Sequence, residues 1–272
     1  MGLMQNSVER VQNRYSVLVE KIFFDGYEKG VREIAFERRR LAEAAKDLGI
    51  ELPKNLGDVL YSIRYRMPMP DRIAATQPAG MEWIVEGIGR SRYAFKLVRI
   101  NRIRPNRALV ATKIPDSTPQ IISAHALSDE QALLAKIRYN RLIDIFLGLA
   151  AYSLQNHLRT TVSGIGQIEI DEVYIGVDKN GRQYALPIQA KGGRDQLSAV
   201  QTRQDIACCK DKFPDLICRA ISTQFMEDNL IALFELTIEG EEVRVVEERH
   251  YRLVAWSEIT EEDLQAYSRR VL

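Results

Sequence analysis

Cysteine and histidine are scarce in this sequence, and a long apolar segment is absent from it. Only three of its 272 residues are cysteine, and two of these, Cys208 and Cys209, are adjacent, which excludes a disulfide framework. The three histidines are far apart and lack zinc-type spacing with cysteine. The most apolar stretch, from Ile145 to Ala151, is far shorter than the roughly 20 residues that cross a bilayer. We therefore expect a cytoplasmic protein that does not enter the membrane.

An overall excess of one charge is also missing, although the two ends of the chain differ. Lys and Arg total 38 and Asp and Glu total 37, which excludes a histone-like polycation. Residues 1–110 nevertheless carry 20 basic and 13 acidic side chains, whereas residues 200–272 carry 9 and 15. This polarity predicts that the N-terminal part contacts a polyanion. Residues 87–89 (GIG) lack the glycine and lysine of a Walker or Rossmann loop, so no nucleotide cofactor is expected.

Three helical patterns open the chain. Helix-forming residues and apolar spacing predict helices over 15–27, 41–48 and 55–66. The last two are joined by a short turn that contains glycine, and the second of them ends in Arg64 and Arg66. This pattern is typical of a helix-turn-helix.

A strongly basic segment follows over residues 87–110. It contains seven Lys or Arg side chains and no acidic one, and Tyr93, Phe95 and Leu97 alternate with the cations. Such a strand can pack its aromatic face on the helices and present its basic face to phosphates, as the wing of a winged helix does. An ordinary solvated strand is the alternative. The predicted contacts with double-stranded DNA are Arg64, Arg66, Arg90, Arg92, Lys96 and Arg99.

A turn-rich linker, residues 115–119 (PDSTP), predicts a winged-helix-like domain over 1–115 and a second domain over 120–272. The second domain opens with a helix that starts at a capping box, at Ser128, and runs to Leu147. The elements predicted after it are strands over 151–162, 167–177 and 183–191, a helix over 195–209, strands over 216–225, 231–238 and 243–254, and a helix over 260–270. The fold class is therefore α+β.

Polar side chains on two of these strands form a candidate site. The second strand carries Gln167, Glu169 and Asp171 on one face and Ile168 and Ile170 on the other, and the third strand ends in Gln189, Ala190 and Lys191. Acids and an amide carbonyl offer oxygen ligands to Mg²⁺, which activates water and neutralises charge on a phosphate. A lysine beside them can orient the water and stabilise the developing anion. The group therefore suits phosphodiester hydrolysis.

The turn between the two strands leaves two registers open. If 178–181 forms a type I turn with Gly181 left-handed, Asp171 lies opposite Gln189 and Glu169 lies opposite Lys191. If residues 180 and 181 form a two-residue type I′ turn instead, Glu172 takes the place opposite Gln189. We favour the first register because it keeps Ile168 and Ile170 together in the core.

This arrangement, Asp171 followed after seventeen residues by Gln189-Ala190-Lys191, resembles the PD-(D/E)XK nuclease superfamily over about residues 128–225. Ile170 replaces the proline of the motif and Gln189 replaces its second acid, and the resulting Gln-x-Lys form is similar to the Mrr-type branch. The resemblance implies a restriction-endonuclease-like mixed β-sheet core flanked by helices.

The resemblance also implies the roles of individual residues. Asp171, Gln189 and the main-chain carbonyl of Ala190 would hold Mg²⁺, and Lys191 would serve the attacking water. A glutamate from the opening helix is implied near the site, with Glu130 the first candidate.

Further candidates come from the same comparison with the superfamily. Asp144 is the second candidate for the helix acid, and Gln201 and Gln204 would contact DNA or support the site. Because Gln189 stands where the motif has an acid, the metal site has one negative charge fewer, and Glu169 or Glu172 would have to supply it.

The expected activity is that of a Mg²⁺-dependent endodeoxyribonuclease, in a restriction system, that forms a homodimer at least on DNA. A non-catalytic DNA-binding regulator, a repair or junction nuclease and an RNA-directed enzyme are the alternatives. If the site has no function, Glu169 and Asp171 simply lie on a solvent-exposed strand face and form ion pairs with Lys191 and Arg182.

Overall fold

The computed structural model describes residues 15–52, 56–65, 69–99, 102–125, 130–192, 197–226, 230–240 and 242–269. The contacts of the chain divide it into two compact units, the first made of Met1–Ile100 and Thr161–Gln167 and the second of Asn101–Thr160 and Ile168–Leu272. This division falls before the predicted boundary at residue 115, because Thr112–Pro115 is a strand of the second unit's sheet. No helix of the described residues is long and apolar enough to cross a membrane.

The first unit consists of four helices and a three-stranded sheet. Its elements are α1 (15–26), β1 (Glu33–Glu37), α2 (Arg39–Leu48), α3 (Leu56–Tyr65), α4 (Asp71–Ala74), β2 (Met81–Gly89) and β3 (Arg92–Arg99). β3 lies between β1 and β2 and is antiparallel to both. Aromatic rings fill the core, where Phe23 contacts Trp83 and Phe95 at centroid distances of 5.0 and 5.2 Å. The three predicted helices are confirmed, whereas the short helix α4 and the strands β1 and β2 are additional.

The basic strand predicted within residues 87–110 is the shorter strand β3. Phe95 is buried, and Tyr93 and Leu97 pack against the same core. Arg92 is exposed. The predicted alternation therefore holds only in part, since Ala94 on the face opposite Phe95 is also fully buried and Arg99 shares the face of Tyr93, Phe95 and Leu97.

The second unit is built on one large mixed sheet. Its elements are β4 (Arg102–Ile103), β5 (Thr112–Pro115), α5 (Gln120–His125), α6 (Glu130–Tyr139), α7 (Leu142–Leu147), β6 (Ala150–Val162), β7 (Gly166–Val177), β8 (Gln183–Lys191), β9 (Leu197–Ser198), α8 (Ala199–Lys212), β10 (Ile217–Cys218), β11 (Ala220–Phe225), β12 (Leu230–Glu239), β13 (Glu242–Val254) and α9 (Glu261–Arg269). The strand order is β5-β13-β12-β11-β8-β7-β6, and β10 also pairs with β8. β11 is parallel to β8 and β5 is parallel to β13, whereas β7 and β8 are antiparallel. The α+β class with a mixed sheet is therefore confirmed.

Helices cover both faces of this sheet around β8. Residues of α6 and α7 share a core with Ile188 and Ala190, while α8 contributes Ile206 to a separate core. Because side chains alternate along a strand, Gln189 and Lys191 lie on the α8 face of the sheet.

The helix predicted over 128–147 is two helices, α6 and α7. Ser128, and with it the predicted capping box, lies outside the described residues. Arg141 interrupts the helix with a left-handed backbone (φ 50°). Buried Asn140 stabilises the break, because its side-chain oxygen accepts a hydrogen bond from the Ser117 N–H at 2.7 Å. The predicted linker at 115–119 is therefore packed within the second unit.

The turn between β7 and β8 decides between the two registers. Gly181 is left-handed (φ 80°), and its N–H donates to the Asp178 carbonyl at 3.0 Å. The Asp178 N–H in turn donates to the Arg182 carbonyl at 3.1 Å. The strands pair with Glu172 opposite Ile188. This is the favoured register, which places the side chain preceding Glu172 on the α8 face.

Candidate active site

Neighbouring strands bring predicted site residues together where β8 ends. The Ala190 N–H on β8 donates to Asp171 Oδ2 on β7 at 2.8 Å. The next side chain, Lys191, donates from Nζ to Glu130 Oε1 at 2.9 Å, and Glu130 is the first residue of α6. Two acids and an amine from three elements are thus grouped around one peptide unit.

Gln189 is buried, with 1% of its surface exposed, and both ends of its amide are engaged. Nε2 donates to Gln201 Oε1 on α8, and Oε1 accepts from the Ser222 hydroxyl on β11 at 3.1 Å. The Gln189 side chain therefore ties β8 to a helix and to the next strand. Its role as a metal ligand stays a prediction, as does contact of Gln201 with DNA.

Burial raises the pKa of the Asp171 carboxyl above its ordinary value. The hydrogen bond from Ala190 and the positive charge of Lys191 oppose this increase, whereas the negative charge of Glu130 adds to it. Because the charged form is penalised by burial, a further cation beside Asp171 would stabilise the carboxylate.

Glu169 contacts the edge strand β6. Its carboxylate oxygens lie 3.2 Å from His157 Nδ1 and 3.2 Å from Arg159 Nε. His157 has a left-handed backbone (φ 48°), which few residues other than glycine adopt and which β-bulges use to redirect a side chain. The charge of His157 also acts on Asp171. Its place in the sequence indicates only a polar strand face, so the structure adds His157 to the surroundings of the site.

Glu172 does not supply the charge that Gln189 lacks. It is fully buried, and Arg138 of α6 donates to its Oε1 from Nε at 3.1 Å and from Nη2 at 2.8 Å. The Ser153 hydroxyl donates to the same oxygen. These contacts neutralise Glu172 on the α6 face, which is opposite to the face of Gln189 and Lys191.

Asp205 is a buried acid that the sequence does not single out. It lies on α8, one turn after Gln201, and 2% of its surface is exposed. Burial, and after it the negative charge of Asp171, raises the pKa of Asp205 well above its ordinary value, and Lys191 opposes this. The surrounding run 201–205 (QTRQD) contains no apolar residue, and so no hydrophobic periodicity indicates which of its side chains are buried.

The other predicted site residues lie elsewhere. Asp144 pairs with Arg141 and accepts the Ala151 N–H at 2.9 Å, so Glu130 is the acid that contacts Lys191. Gln204 is buried on α8. The DNA-binding candidates of the first unit are Arg64, Arg90, Arg92, Lys96 and Arg99. Arg66 lies outside the described residues.

The donor atoms present fit a hard divalent cation that retains part of its water shell. Within the described ranges, no three His, Cys, Asp or Glu side chains form a metal-binding group. Two carboxylates, the half-buried Asp171 and the buried Asp205, are nevertheless available, since Asp171 uses one oxygen for Ala190 and Asp205 Oδ1 has no hydrogen-bond partner in the described part of the chain. Mg²⁺ is commonly held through one or two carboxylates together with water and substrate phosphate.

No protein-family model, curated protein or solved structure matches this chain.

Proposed function

We propose that this protein is a Mg²⁺-dependent endodeoxyribonuclease that hydrolyses phosphodiester bonds of duplex DNA. The observation that carries the proposal is the grouping of Asp171, Lys191 and Glu130 around the Ala190 peptide. An acid that can hold a hard cation and an amine beside it are what this hydrolysis needs. The order α6, β6, β7, β8, α8, β11, with β11 parallel to β8, supports a restriction-endonuclease-like core.

Each residue of the site has a distinct task in this mechanism. Asp171 and, by the resemblance, Gln189 and the Ala190 carbonyl would hold Mg²⁺, which supplies a Lewis acid for the phosphate and lowers the pKa of water. The Ala190 N–H fixes the orientation of the Asp171 carboxylate. Lys191, positioned by Glu130, would orient the attacking water and stabilise the negative charge that develops on the phosphate.

Purified protein is expected to nick supercoiled plasmid in Mg²⁺ and to leave it intact in EDTA. Asp171→Asn keeps the side-chain shape but removes the charge that attracts the cation, so we expect at least a roughly 100-fold loss of cleavage, the upper end of the cost of removing a group behind a metal ligand. Asp215→Asn changes an exposed acid and is the control that should cleave normally. Equal cleavage by Asp171→Asn and the wild type would overturn the site assignment.

We propose restriction of foreign DNA as the setting. Cutting both strands requires two active sites, and so we expect a homodimer at least on DNA. Methylated and unmethylated phage DNA incubated with Mg²⁺ should give discrete fragments from at least one of the two. A preference for branched or damaged duplexes would indicate a repair or junction nuclease, and cleavage of RNA alone would indicate an RNA-directed enzyme.

We further propose that the first unit binds duplex DNA as a winged helix. Its α2 and α3 would form the helix-turn-helix, and the β2–β3 hairpin would form the wing. Arg90 lies in the turn of this hairpin and Arg92 begins β3, and both are exposed. Lys96, further along the strand, pairs with Glu86 at 3.2 Å. Exposed cations at the tip of a hairpin are well placed to contact phosphates.

Replacing both Arg90 and Arg92 with alanine should weaken DNA binding in a salt-dependent way. Each lost phosphate contact makes the plot of log affinity against log salt shallower by about 0.9, so we expect a change of about 2 for the double variant. Fluorescence anisotropy of a labelled duplex over a salt series measures this slope. Arg244→Ala with Arg249→Ala removes two exposed arginines of β13 and serves as control, and equal slopes for the two double variants would contradict a DNA-binding wing.

A non-catalytic DNA-binding regulator is the second candidate function. The observation that favours it is the engagement of both ends of the Gln189 amide by Gln201 and Ser222, which gives that side chain a structural role at the position where the nuclease motif has an acid. In that case the protein would bind duplex DNA in Mg²⁺ without cleaving it.

A further inference from the structure

The buried side chain of Asp205 has no role in the mechanism proposed above. It is 2% exposed, and its Oδ1 has no hydrogen-bond partner within the described residues. Buried carboxylates are ordinarily hydrogen-bonded or paired with a cation, because removing an ionised carboxylate from water without compensation is strongly unfavourable. A group in this state therefore indicates a ligand that completes its surroundings.

The charges around Asp205 point to a cation as that ligand. Asp171 acts on Asp205 with a second negative charge, and Lys191 acts on it with a positive one. Lys191 is shared, since its amine also lies 2.9 Å from Glu130. Glu130, Asp171 and Asp205 thus all interact with the positive charge of Lys191, and a small divalent cation would restore the balance of charge.

The position of Asp205 depends on a contact between helix α8 and Gln189, the residue that replaces the second acid of the nuclease motif. Gln201 lies one helical turn before Asp205 and accepts a hydrogen bond from the buried amide of Gln189. Residues four apart lie on the same side of a helix. The contact between the two glutamines therefore turns the Asp205 side of α8 towards the strand that carries Lys191.

We propose that Asp205 is the second carboxylate ligand of the divalent cation and replaces, from the helix, the acid that Gln189 lacks on the strand. The proposal rests on the proposed nuclease function and deepens it. The two acids expected to compensate are already engaged: Glu172 is bound by Arg138 on the opposite face, and Glu169 lies against His157 and Arg159. Among the described residues, Asp205 Oδ1 is the unpartnered, buried carboxylate oxygen on the α8 face, whereas Glu172 Oε2, which also lacks a partner there, lies on the opposite face.

The test is Mn²⁺ binding by the full chain without DNA, measured by the electron paramagnetic resonance signal of free Mn²⁺. Replacing a residue that only hydrogen-bonds to a metal ligand lowers metal affinity roughly 10- to 100-fold. Replacing a ligand itself should cost at least as much, so Asp205→Asn should weaken Mn²⁺ binding at least tenfold. Asp211→Asn, an exposed acid on the same helix, is the matched control and should bind as the wild type does. Asp171→Asn should lose binding as well.

Thermal unfolding distinguishes a metal ligand from a residue that stabilises the fold, because replacing the second kind of residue would lower the melting temperature without metal. In EDTA, Asp205→Asn should melt at the same temperature as the wild type or higher, because the amide replaces a carboxyl whose ionised form is disfavoured by burial. Mn²⁺ should then raise the melting temperature of the wild type and not that of the variant. A variant that binds Mn²⁺ like the wild type, or that melts lower in EDTA or fails to fold, would overturn the proposal.

Mn²⁺ binding and DNA cleavage together distinguish the role of Asp205 from the nuclease function. If the wild type binds Mn²⁺ and cleaves DNA while Asp205→Asn does both equally well, Asp205 is not a ligand and the nuclease assignment stands. If the wild type neither binds Mn²⁺ nor cleaves, both are wrong.

Discussion

Lys191→Ala is expected to lower DNA cleavage by at least about 100-fold and to leave duplex affinity unchanged. The amine lies beside Asp171 and is positioned by Glu130 at 2.9 Å, where it can act on the attacking water and on the charged phosphate. Proton transfer by a positioned group contributes roughly 10²- to 10⁴-fold, and one donor to a developing anion roughly 10²- to 10³-fold. The loss should appear in the rate of the cleavage step under single-turnover conditions.

Lys179→Ala is the matched control for this variant. Lys179 is an exposed lysine in the turn between the same two strands, so its loss removes one positive charge without touching the site. It should cleave and bind like the wild type. If Lys191→Ala retained full cleavage, or if both variants lost duplex affinity equally, Lys191 would not be part of the chemistry.

Arg138→Ala is expected to lower the free energy of unfolding by about 2–3 kcal/mol, less than for a fully buried ion pair because 38% of the Arg138 side chain is exposed to solvent. Glu172 is completely buried, and the two hydrogen bonds from Arg138 neutralise it on the α6 face. Without Arg138 the carboxylate would keep the Ser153 hydroxyl but would have lost its counter-charge. Urea denaturation followed by circular dichroism measures the loss.

Two further variants test whether the loss of stability comes from the buried, unpaired charge of Glu172 and not merely from the loss of an ion pair. Arg249→Ala breaks the exposed pair with Glu247, for which a loss of about 0–1 kcal/mol is expected. The double variant Arg138→Met, Glu172→Leu removes both charges and should recover most of the stability. A loss below about 1 kcal/mol for Arg138→Ala alone would show that Glu172 is compensated in another way.

The hairpin that carries the site could be predicted from the sequence because its determinants are local. A left-handed glycine at position 181 and an aspartate at 178 specify the turn, and the alternation of Ile168 and Ile170 with polar residues specifies the buried face. Both features reappear in the structure, with Ile168 and Ile170 buried and Gly181 at φ 80°. The grouping of Asp171 with Lys191 follows from them.

Features that depend on contacts between distant segments could not be predicted in this way. Asp205 is buried because α8 packs on the sheet, and a polar helical run does not reveal which of its side chains face inward. The interruption at Arg141 lacks glycine or proline and is held by the contact of Asn140 with Ser117. The strand Thr112–Pro115 is too short to show a period and forms by pairing with β13.

The turn between β7 and β8 also limits how the length of this chain can vary. The Asp178 side chain accepts hydrogen bonds from the N–H groups of Asn180 and Arg182 at 2.9 and 3.0 Å. An added or deleted residue in this loop would break these hydrogen bonds. A one-residue slip of the hairpin would exchange its two faces and move Glu172 to the side that Asp171 now occupies. An insertion in this loop would therefore separate the residues of the site while every one of them remained unaltered.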